Sequence, residues 1–149
     1  MSQQNVEIVK AAINALNSQD WDALLQDVAA GAEVDMSRAV GPISGVFKIH
    51  QFRQTLEQFA ENWESLRGKP HEFIEAGDLV VMPWTLYGKG REGIEVTASP
   101  TWVWTIRDGA IQGLVMYQER EDALEAVGLS EQTLKPTPDF GSQTAPSRE

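Results

Sequence analysis

Apolar residues recur at helical spacing in two stretches near the start of the chain. Val, Val, Ile and Leu occupy positions 6, 9, 13 and 16, and this spacing predicts a helix over residues 3–17. The apolar positions of Trp21–Val28 predict a second helix, for which Ser18 or Asp20 is a suitable cap. We therefore expect two helices before the first strand.

A short strand and a third helix follow. Polar and apolar residues alternate over Glu33–Arg38, which predicts a strand, and Gly41, Pro42 and Gly45 mark a loop after it. The apolar stripe of Ile49–Trp63 then predicts a helix that ends near residues 66–68.

The second half of the chain is typical of an antiparallel meander. Strands are predicted over His71–Ala76, Leu79–Tyr87 and Ile94–Ile106, and the first two are joined by a turn at Gly77 and Asp78. The next turn falls on residues 88–90 and 93, which are glycine-rich. A last strand and a closing helix complete the order.

The turn at Arg107–Gly109 decides which side chains share a face of the last two strands. We interpret it as a three-residue loop with a glycine bulge. The pairs that follow are Ile106 with Ala110, Trp104 with Gln112, and Trp102 with Leu114. One face then carries Trp102, Trp104, Leu114, Met116 and Gln118, and the other carries Thr101, Val103, Thr105, Ile111, Gly113, Val115 and Tyr117. A two-residue loop would instead shift the register by one and mix these sets.

This order of elements predicts an α+β domain, in which a curved antiparallel sheet wraps around the N-terminal helices and its concave face forms a pocket. We expect one domain over residues 1–129. Residues 130–149 are rich in Ser, Thr, Gln and Pro, which predicts a disordered or extended tail.

The composition narrows the classes of partner. A formal net charge of -10 disfavours nucleic acid and anionic membrane surfaces as partners. The chain has no cysteine, so disulfides and thiolate sites are excluded and a reducing compartment is expected. No basic leader or long apolar run is present, and we expect a cytoplasmic protein without a membrane segment.

Several segments together carry a resemblance to a known family. They are Ala11–Leu25, Gly45–Phe47, Glu72–Val81, Val103–Ile111 and Glu119–Leu129. In these segments the chain resembles the SnoaL-like branch of the NTF2-like superfamily, over about residues 3–129. The resemblance implies a cone-shaped α+β fold, frequent homodimers and a deep apolar pocket. Its better-known relatives are polyketide cyclases, ketosteroid isomerases, limonene epoxide hydrolases and scytalone dehydratases, which need no metal or redox cofactor.

The acidic groups of those enzymes are mostly missing from the matching positions. The base and oxyanion positions of ketosteroid isomerase correspond to Met36, Ala12 and Trp102, and two positions of the epoxide hydrolase relay correspond to Trp84 and Leu86. Isomerase and epoxide hydrolase chemistry of those kinds is therefore disfavoured. The cyclases place an acid near the end of the last strand, and there alone the chain keeps one, Glu119.

The predicted pocket is apolar and aromatic, suited to a planar or polycyclic compound. Its expected lining is Val34, Met36, Met82, Trp84, Leu86, Trp102, Trp104, Leu114, Met116 and Gln118. Glu119 is the candidate acid/base, and Arg38 is the candidate partner for a ligand oxygen. If the register slips by one residue, Asp35 and Tyr117 become the candidates instead. His50 and His71 form no motif, and no metal site is expected.

Three functional hypotheses are compatible with the sequence. The first is a cofactor-independent cyclase, isomerase or lyase that acts on a small hydrophobic molecule. The second is a protein that binds such a molecule without chemistry, and the third is a scaffold that forms a homodimer through its open sheet face. A pocket filled by its own Trp and Met side chains would argue against the first two.

Overall fold

The first helix, α1, spans Ser2–Asn17 and buries the face that carries Val9 and Ile13. The structure, a computed structural model, describes residues 2–134. A one-turn helix, α2 (Trp21–Leu24), follows, and the Asp20 carboxylate caps it by accepting a hydrogen bond from the backbone N–H of Ala23 at 3.2 Å. The predicted Asp20 cap is therefore confirmed, although the helix is shorter than expected because Val28 already begins a strand.

Within residues 2–134, eight strands form one sheet, and three further helices lie between or after them. The strands are β1 (Val28–Asp35), β2 (Val46–Lys48), β3 (Trp63–Pro70), β4 (Ile74–Ala76), β5 (Leu79–Gly90), β6 (Glu95–Ala98), β7 (Thr101–Arg107) and β8 (Ala110–Tyr117). The helices are α3 (Ile49–Glu61), α4 (Arg120–Ala126) and α5 (Glu131–Leu134), and Gly41–Ile43 forms a 3-10 turn. The α+β prediction is thus confirmed.

The strand order is β2-β1-β8-β7-β5-β3, and both β4 and β6 also pair with β5. All pairs are antiparallel except β1 with β8, which run parallel. Of the predicted tail, Glu131–Leu134 form α5, whereas residues 135–149 lie outside the described residues. None of the described helices is long and apolar enough to cross a membrane.

The β7–β8 turn differs from the prediction. Asp108 and Gly109, with φ of 56° and 77°, form a two-residue turn that pairs Arg107 with Ala110. A bulge follows, because Thr105 pairs with Gly113 and Gln112 has no partner residue. Beyond this bulge, the side chains of β8 lie on the faces that were predicted. From there the pairs are Trp104 with Leu114 and Trp102 with Met116, not the predicted ones. The predicted grouping of Trp102, Trp104, Leu114 and Met116 survives, but Ile111 joins the same core instead of the opposite face.

The third helix is shorter than predicted, and a strand takes its place. Helix α3 ends at Glu61, and Trp63 opens β3, which pairs with β5. The ring centroid of Trp63 still lies 5.8 Å from that of Phe59. The two residues therefore contact each other as their four-residue spacing suggested, although only Phe59 belongs to the helix. The strand itself contains Glu, Lys, Gly and Pro, which have low strand propensity, and its sequence therefore gave no strand pattern.

Several strand boundaries also differ from the predictions, and β4 begins at Ile74 instead of His71. Residues 88–90 belong to β5 and are not a turn, and the following chain reversal lies at residues 91–93. The predicted strand Ile94–Ile106 is divided into β6 and β7 by Ser99 and Pro100. The first strand begins at Val28, five residues before the predicted start.

The two faces of the sheet are covered differently. Helices α1 and α3 pack on the inner face, where Val9, Phe52, Trp84 and Trp104 belong to one buried cluster. Helix α4 packs on the outer face, and its Ala123 and Leu124 bury Val81 and Val103. Helix α4 therefore covers the outer face at Val81 and Val103. The homodimer contact expected from the sequence could use only the part of the outer face that α4 leaves uncovered.

Candidate functional site

A cavity of about 260 Å³ lies between the inner face of the sheet and the helices α1 and α3. Strands β3, β5 and β7 contribute one wall, and Leu16, Leu56 and Phe59 contribute the opposite one. Its exposed lining residues include Gln19, Val40 and Gln118, which mark the mouth. The inner face thus contains an unfilled space beside its tryptophans. The pocket is not filled by its own Trp and Met side chains, which would have argued against a bound small molecule.

Six of the ten residues expected to line the pocket do so: Met36, Trp84, Leu86, Trp102, Met116 and Gln118. Val34, Trp104 and Leu114 instead line a separate void of about 30 Å³, a volume close to that of one water molecule. Met82 lines neither and is fully buried. The cavity therefore lies nearer to β3 than predicted, because β3 was not expected as a strand.

Three tryptophans pack in a row along the inner face. The ring centroids of Trp84 and Trp102 are 4.5 Å apart at an interplanar angle of 66°, and those of Trp102 and Trp104 are 5.8 Å apart at 53°. Tilted contacts of this kind are the favoured geometry between aromatic rings. The Nε1 atoms of Trp84 and Trp104 are buried without a hydrogen-bond partner among the described residues. Of this row, Trp84 and Trp102 form part of the cavity wall.

The end of α1 is bonded directly to β3. The Asn17 side chain donates from Nδ2 to the Gly68 carbonyl at 2.9 Å and accepts from the Gly68 N–H at 2.8 Å. This pair of bonds closes the cavity wall and engages both polar atoms of the Asn17 side chain. Asn17, Leu66 and Gly68 were missed from the sequence, because only the unexpected strand brings them to the site.

A loop over residues 37–44 forms one side of the mouth. It is closed at its base by paired backbone bonds, from Met36 N to Gly45 O at 2.7 Å and from Gly45 N to Met36 O at 3.3 Å. Val40 at its tip lines the cavity although the residue is 84% exposed. Gln118 connects this loop to the end of β8, since its Nε2 donates to the Arg38 carbonyl at 2.6 Å.

The side chain of Arg38 lies outside the cavity, against the end of β8. Its guanidinium is 4.6 Å from the centroid of the Tyr117 ring, and its NH1 is 3.6 Å from Asp35 Oδ2. The expected approach of Arg38 to the pocket is therefore not found. Asp35 and Tyr117, the candidates for a slipped register, do not line the cavity either, because the bulge cancels the slip.

The Asp35 carboxylate is held by its neighbours. Oδ1 accepts from the backbone N–H of Ser37 at 2.9 Å and from its hydroxyl at 2.6 Å. These bonds, with a smaller contribution from Arg38, lower the pKa of Asp35 below its ordinary value despite an opposing effect of partial burial. Asp35 therefore carries a stable negative charge and stabilises the start of the loop.

Glu119 does not reach the cavity. It occupies the N-cap position of α4, where its backbone carbonyl accepts from Ala123 at 3.3 Å, and its side chain is exposed and does not cap the helix. The structure thus places the candidate acid/base residue outside the cavity lining. The cause is that β8 ends at Tyr117, and the chain turns away from the inner face before Glu119.

The cavity lining holds no conventional acid/base group. None of its described residues is Asp, Glu, His, Lys, Cys, Ser, Thr or Tyr. Among the described lining residues, Arg67 alone is titratable. Its register partner is Tyr87, so its side chain points to the face opposite Trp84. Within residues 2–134, no group of three or more His, Asp or Glu is placed to hold a metal ion.

Comparisons with known proteins agree with this architecture. A family model described as a SnoaL-like domain matches residues 9–113, more than half of the chain. A search of curated proteins found no match. Among solved structures, TerC co-crystallised with polyporic acid is similar, with 22% identity and a TM-score of 0.66 over 83% of this chain and 98% of that one.

Two further solved structures are similar over most of their length. An NTF2-like protein of unknown function from Burkholderia pseudomallei K96243 has 18% identity and a TM-score of 0.65, over 84% of this chain and 98% of that chain. A putative polyketide cyclase from Xanthomonas campestris pv. campestris has 18% identity and a TM-score of 0.65, over 85% and 98%. At these identities the likeness is one of fold. The matched family model shows that the chain belongs to the SnoaL-like domain family.

Proposed function

We propose that this protein binds a small, neutral, planar apolar molecule in the inner cavity and performs no acid/base chemistry on it. The observation that carries the proposal is the lining itself, which combines tryptophan, methionine and aliphatic side chains with no conventional acid or base. A buried ligand without charge leaves no unpaired ion in such a site. Binding without proton transfer is therefore the function that the site supports best.

The size of the cavity limits the ligand. An engineered apolar cavity of about 150 Å³ stays dry and binds benzene. A cavity of about 260 Å³ therefore suits a ligand of roughly two fused rings. The walls formed by Trp84 and Trp102 favour a flat molecule, and Met36 and Met116 can adapt to its outline. Among proteins of the same fold, TerC was crystallised with an organic molecule, polyporic acid.

The alternative is a cofactor-independent cyclase, isomerase or lyase. Similar folds include a putative polyketide cyclase and AclR, a putative hydroxylase from Streptomyces galilaeus. Such chemistry requires a group within hydrogen-bond reach of the proton that moves. Glu119 is exposed at the start of α4 and Arg38 is engaged by Asp35 and Tyr117, so neither supplies that group. We therefore favour ligand binding over catalysis as the function of the cavity.

Titration calorimetry with 2-naphthol tests the proposal directly. We expect saturable 1:1 binding with a negative heat-capacity change, because apolar surface is buried on binding. Ala60, a buried residue of α3, lines the cavity, and an Ala60→Phe substitution is expected to fill the space and abolish binding. Gln58→Phe is the matched control, since it places the same ring at an exposed position of the same helix.

Two outcomes would contradict the proposal. The first is the absence of saturable heat with the unaltered protein up to the solubility limit of 2-naphthol. The second is equal binding by the unaltered protein and by a folded Ala60→Phe variant, which would place the ligand outside the cavity.

A further inference from the structure

We infer that Gln118 makes the cavity selective for ligands that carry a hydrogen-bond donor, such as a phenolic hydroxyl, at the end nearest the mouth. This inference rests on the proposed binding function and specifies its ligand class. It concerns a single polar atom, the carboxamide oxygen of Gln118, which has no partner among the described residues.

The orientation of the Gln118 amide follows from its one bond. A backbone carbonyl can only accept, so the group that meets the Arg38 carbonyl at 2.6 Å must be the Nε2 amide NH2 group. Rotating the amide by 180° would bring two acceptor oxygens together. The Oε1 atom is therefore left as an acceptor without a partner among the described residues, and it belongs to a residue that lines the cavity at its mouth.

The partner of that bond is itself held in place. Residue 38 belongs to a loop whose base is closed by the Met36–Gly45 backbone pair, and Ala39 N donates to Met36 O at 2.9 Å. An acceptor that is oriented before the ligand arrives costs less ordering entropy on binding, so its hydrogen bond contributes more to selectivity.

The other amides of the lining are less suited to this role. Both polar atoms of the Asn17 side chain are engaged by Gly68. Gln19 is exposed, and no bond of its side chain to a described residue fixes the direction of its amide. Gln118 is thus the one lining amide in the described chain that is oriented by a protein bond and keeps a polar atom available.

The ligand that fits this arrangement has two parts. Its rings lie against Trp84 and Trp102, and its hydroxyl lies at the mouth and donates to Gln118 Oε1. Gln118 is exposed, so its oxygen can bond to water when no ligand donor is present, which limits the discrimination. We expect a factor of about three to ten between a donor and a non-donor ligand of the same shape.

A variant cycle with two probes of the same shape isolates this factor. The probes are 2-naphthol and 2-methylnaphthalene, which differ by a hydroxyl in place of a methyl group. Their affinity ratio is measured by equilibrium dialysis for the unaltered protein and for Gln118→Met, which keeps the length of the side chain and removes its polar atoms. The ratio is expected to shift toward 2-methylnaphthalene by about three- to tenfold in Gln118→Met. Comparing ratios between proteins cancels the difference in hydration between the probes.

Two controls separate direct recognition from loosening of the loop. Arg38→Ala removes the Tyr117 stacking and the Asp35 ion pair but keeps the backbone carbonyl, so it should leave the ratio unchanged. Gln58→Met makes the same exchange at an exposed position of α3 outside the lining and should do the same. An unchanged ratio in Gln118→Met would overturn the inference, and so would an equal shift in Arg38→Ala. If neither probe binds the unaltered protein, the proposed binding function itself fails.

Discussion

The indole ring of Trp84 lies against the backbone of Gly68, in the space that any side chain at residue 68 would occupy. A Cβ atom built on Gly68 would overlap Cζ3 and Cε3 of that ring. Trp84 is 1% exposed and packs against Trp102, so it has little room to move aside. Strands β3 and β5 can therefore form this part of the cavity wall only with glycine at position 68.

A Gly68→Ala substitution tests this relationship. The added methyl group would force Trp84 or the β3 backbone to shift, and such overpacking typically costs about 1–3 kcal/mol. We expect the free energy of unfolding to fall by that amount, as measured by urea denaturation. The affinity for 2-naphthol should fall with it, because the displaced ring is part of the cavity wall.

Gly31→Ala provides the comparison. Gly31 lies in β1 with no atom near its hypothetical Cβ and without a positive φ, so the substitution should change stability by less than about 0.5 kcal/mol. Equal stability of the two variants would show that Trp84 accommodates a side chain at residue 68.

The sequence predicted the site well where the pattern is local. Alternation along β7 and β8 placed Trp102 and Met116 on one face, and both line the cavity. The turn type was predicted wrongly and Ile111 was assigned to the wrong face, but the faces are as predicted from Gly113 onward because the bulge at Gln112 returns the strands to the expected phase. A bulge of this kind depends on how the two strands pair, and the sequence pattern around Gln112 does not predict it.

The parts that were missed depend on contacts between distant residues. Strand β3 exists because it pairs with β5, where Gly68 and Gly88 leave space for the rings of Trp84 and Trp63. Tertiary context of this kind overrides local propensity, and residues 63–68 resembled the end of a helix when considered alone. Glu119 was misplaced for a related reason, since the exact end of β8 decides whether the chain still faces the cavity.

The bond between Ser37 and Asp35 predicts a measurable change in titration. Ser37→Ala removes the hydroxyl that bonds to Asp35 Oδ1, so the lowered pKa of Asp35 should rise toward its ordinary value. Carboxyl carbon shifts in an NMR titration of the two proteins would measure this. Ser44→Ala, in the same loop, should leave the Asp35 titration unchanged.

The same shift gives a sign for acid stability. Because the folded pKa of Asp35 lies below its unfolded value, its contribution is fully present above the unfolded pKa and is lost as the pH falls through the folded pKa. The unaltered protein should therefore lose more stability than Ser37→Ala between pH 6 and acidic pH. A larger acid loss in the variant would contradict this assignment.

Thr85 connects two surface residues through a buried hydroxyl. Its Oγ1 lies 2.6 Å from His71 Nε2 and 3.1 Å from Ser99 Oγ. Thr85→Val keeps the shape and removes both bonds, and we expect a loss of about 1 kcal/mol in the free energy of unfolding. His71 and Ser99 are exposed and can bond to water, which keeps the loss small.

Thr97→Val is the matched substitution on the neighbouring strand β6. Its side chain is exposed, and valine has a high strand propensity, so this variant should be neutral or slightly more stable. Urea denaturation of both variants measures the two free energies of unfolding to be compared. If Thr85→Val is as stable as Thr97→Val, the hydroxyl contributes nothing to the fold.

Leu56 lies between the large cavity and the small void, and it lines both spaces together with Leu16 and Trp102. Leu56→Ala should merge the two spaces and cost about 2–5 kcal/mol, the range for leucine truncation in a buried core. The merged cavity has room for a larger ligand, so 2-methylnaphthalene should stabilise this variant more than it stabilises the unaltered protein. Thermal unfolding with and without the ligand measures the difference.

Leu124→Ala distinguishes a filled cavity from a general rescue of weakened proteins. Leu124 is buried on α4 in the outer cluster, so its truncation should cost a similar amount but create space on the other side of the sheet. A ligand that binds only on the inner face cannot occupy that space, and its stabilising effect should match that on the unaltered protein. Equal rescue of both variants would mean that the ligand does not act through the inner cavity.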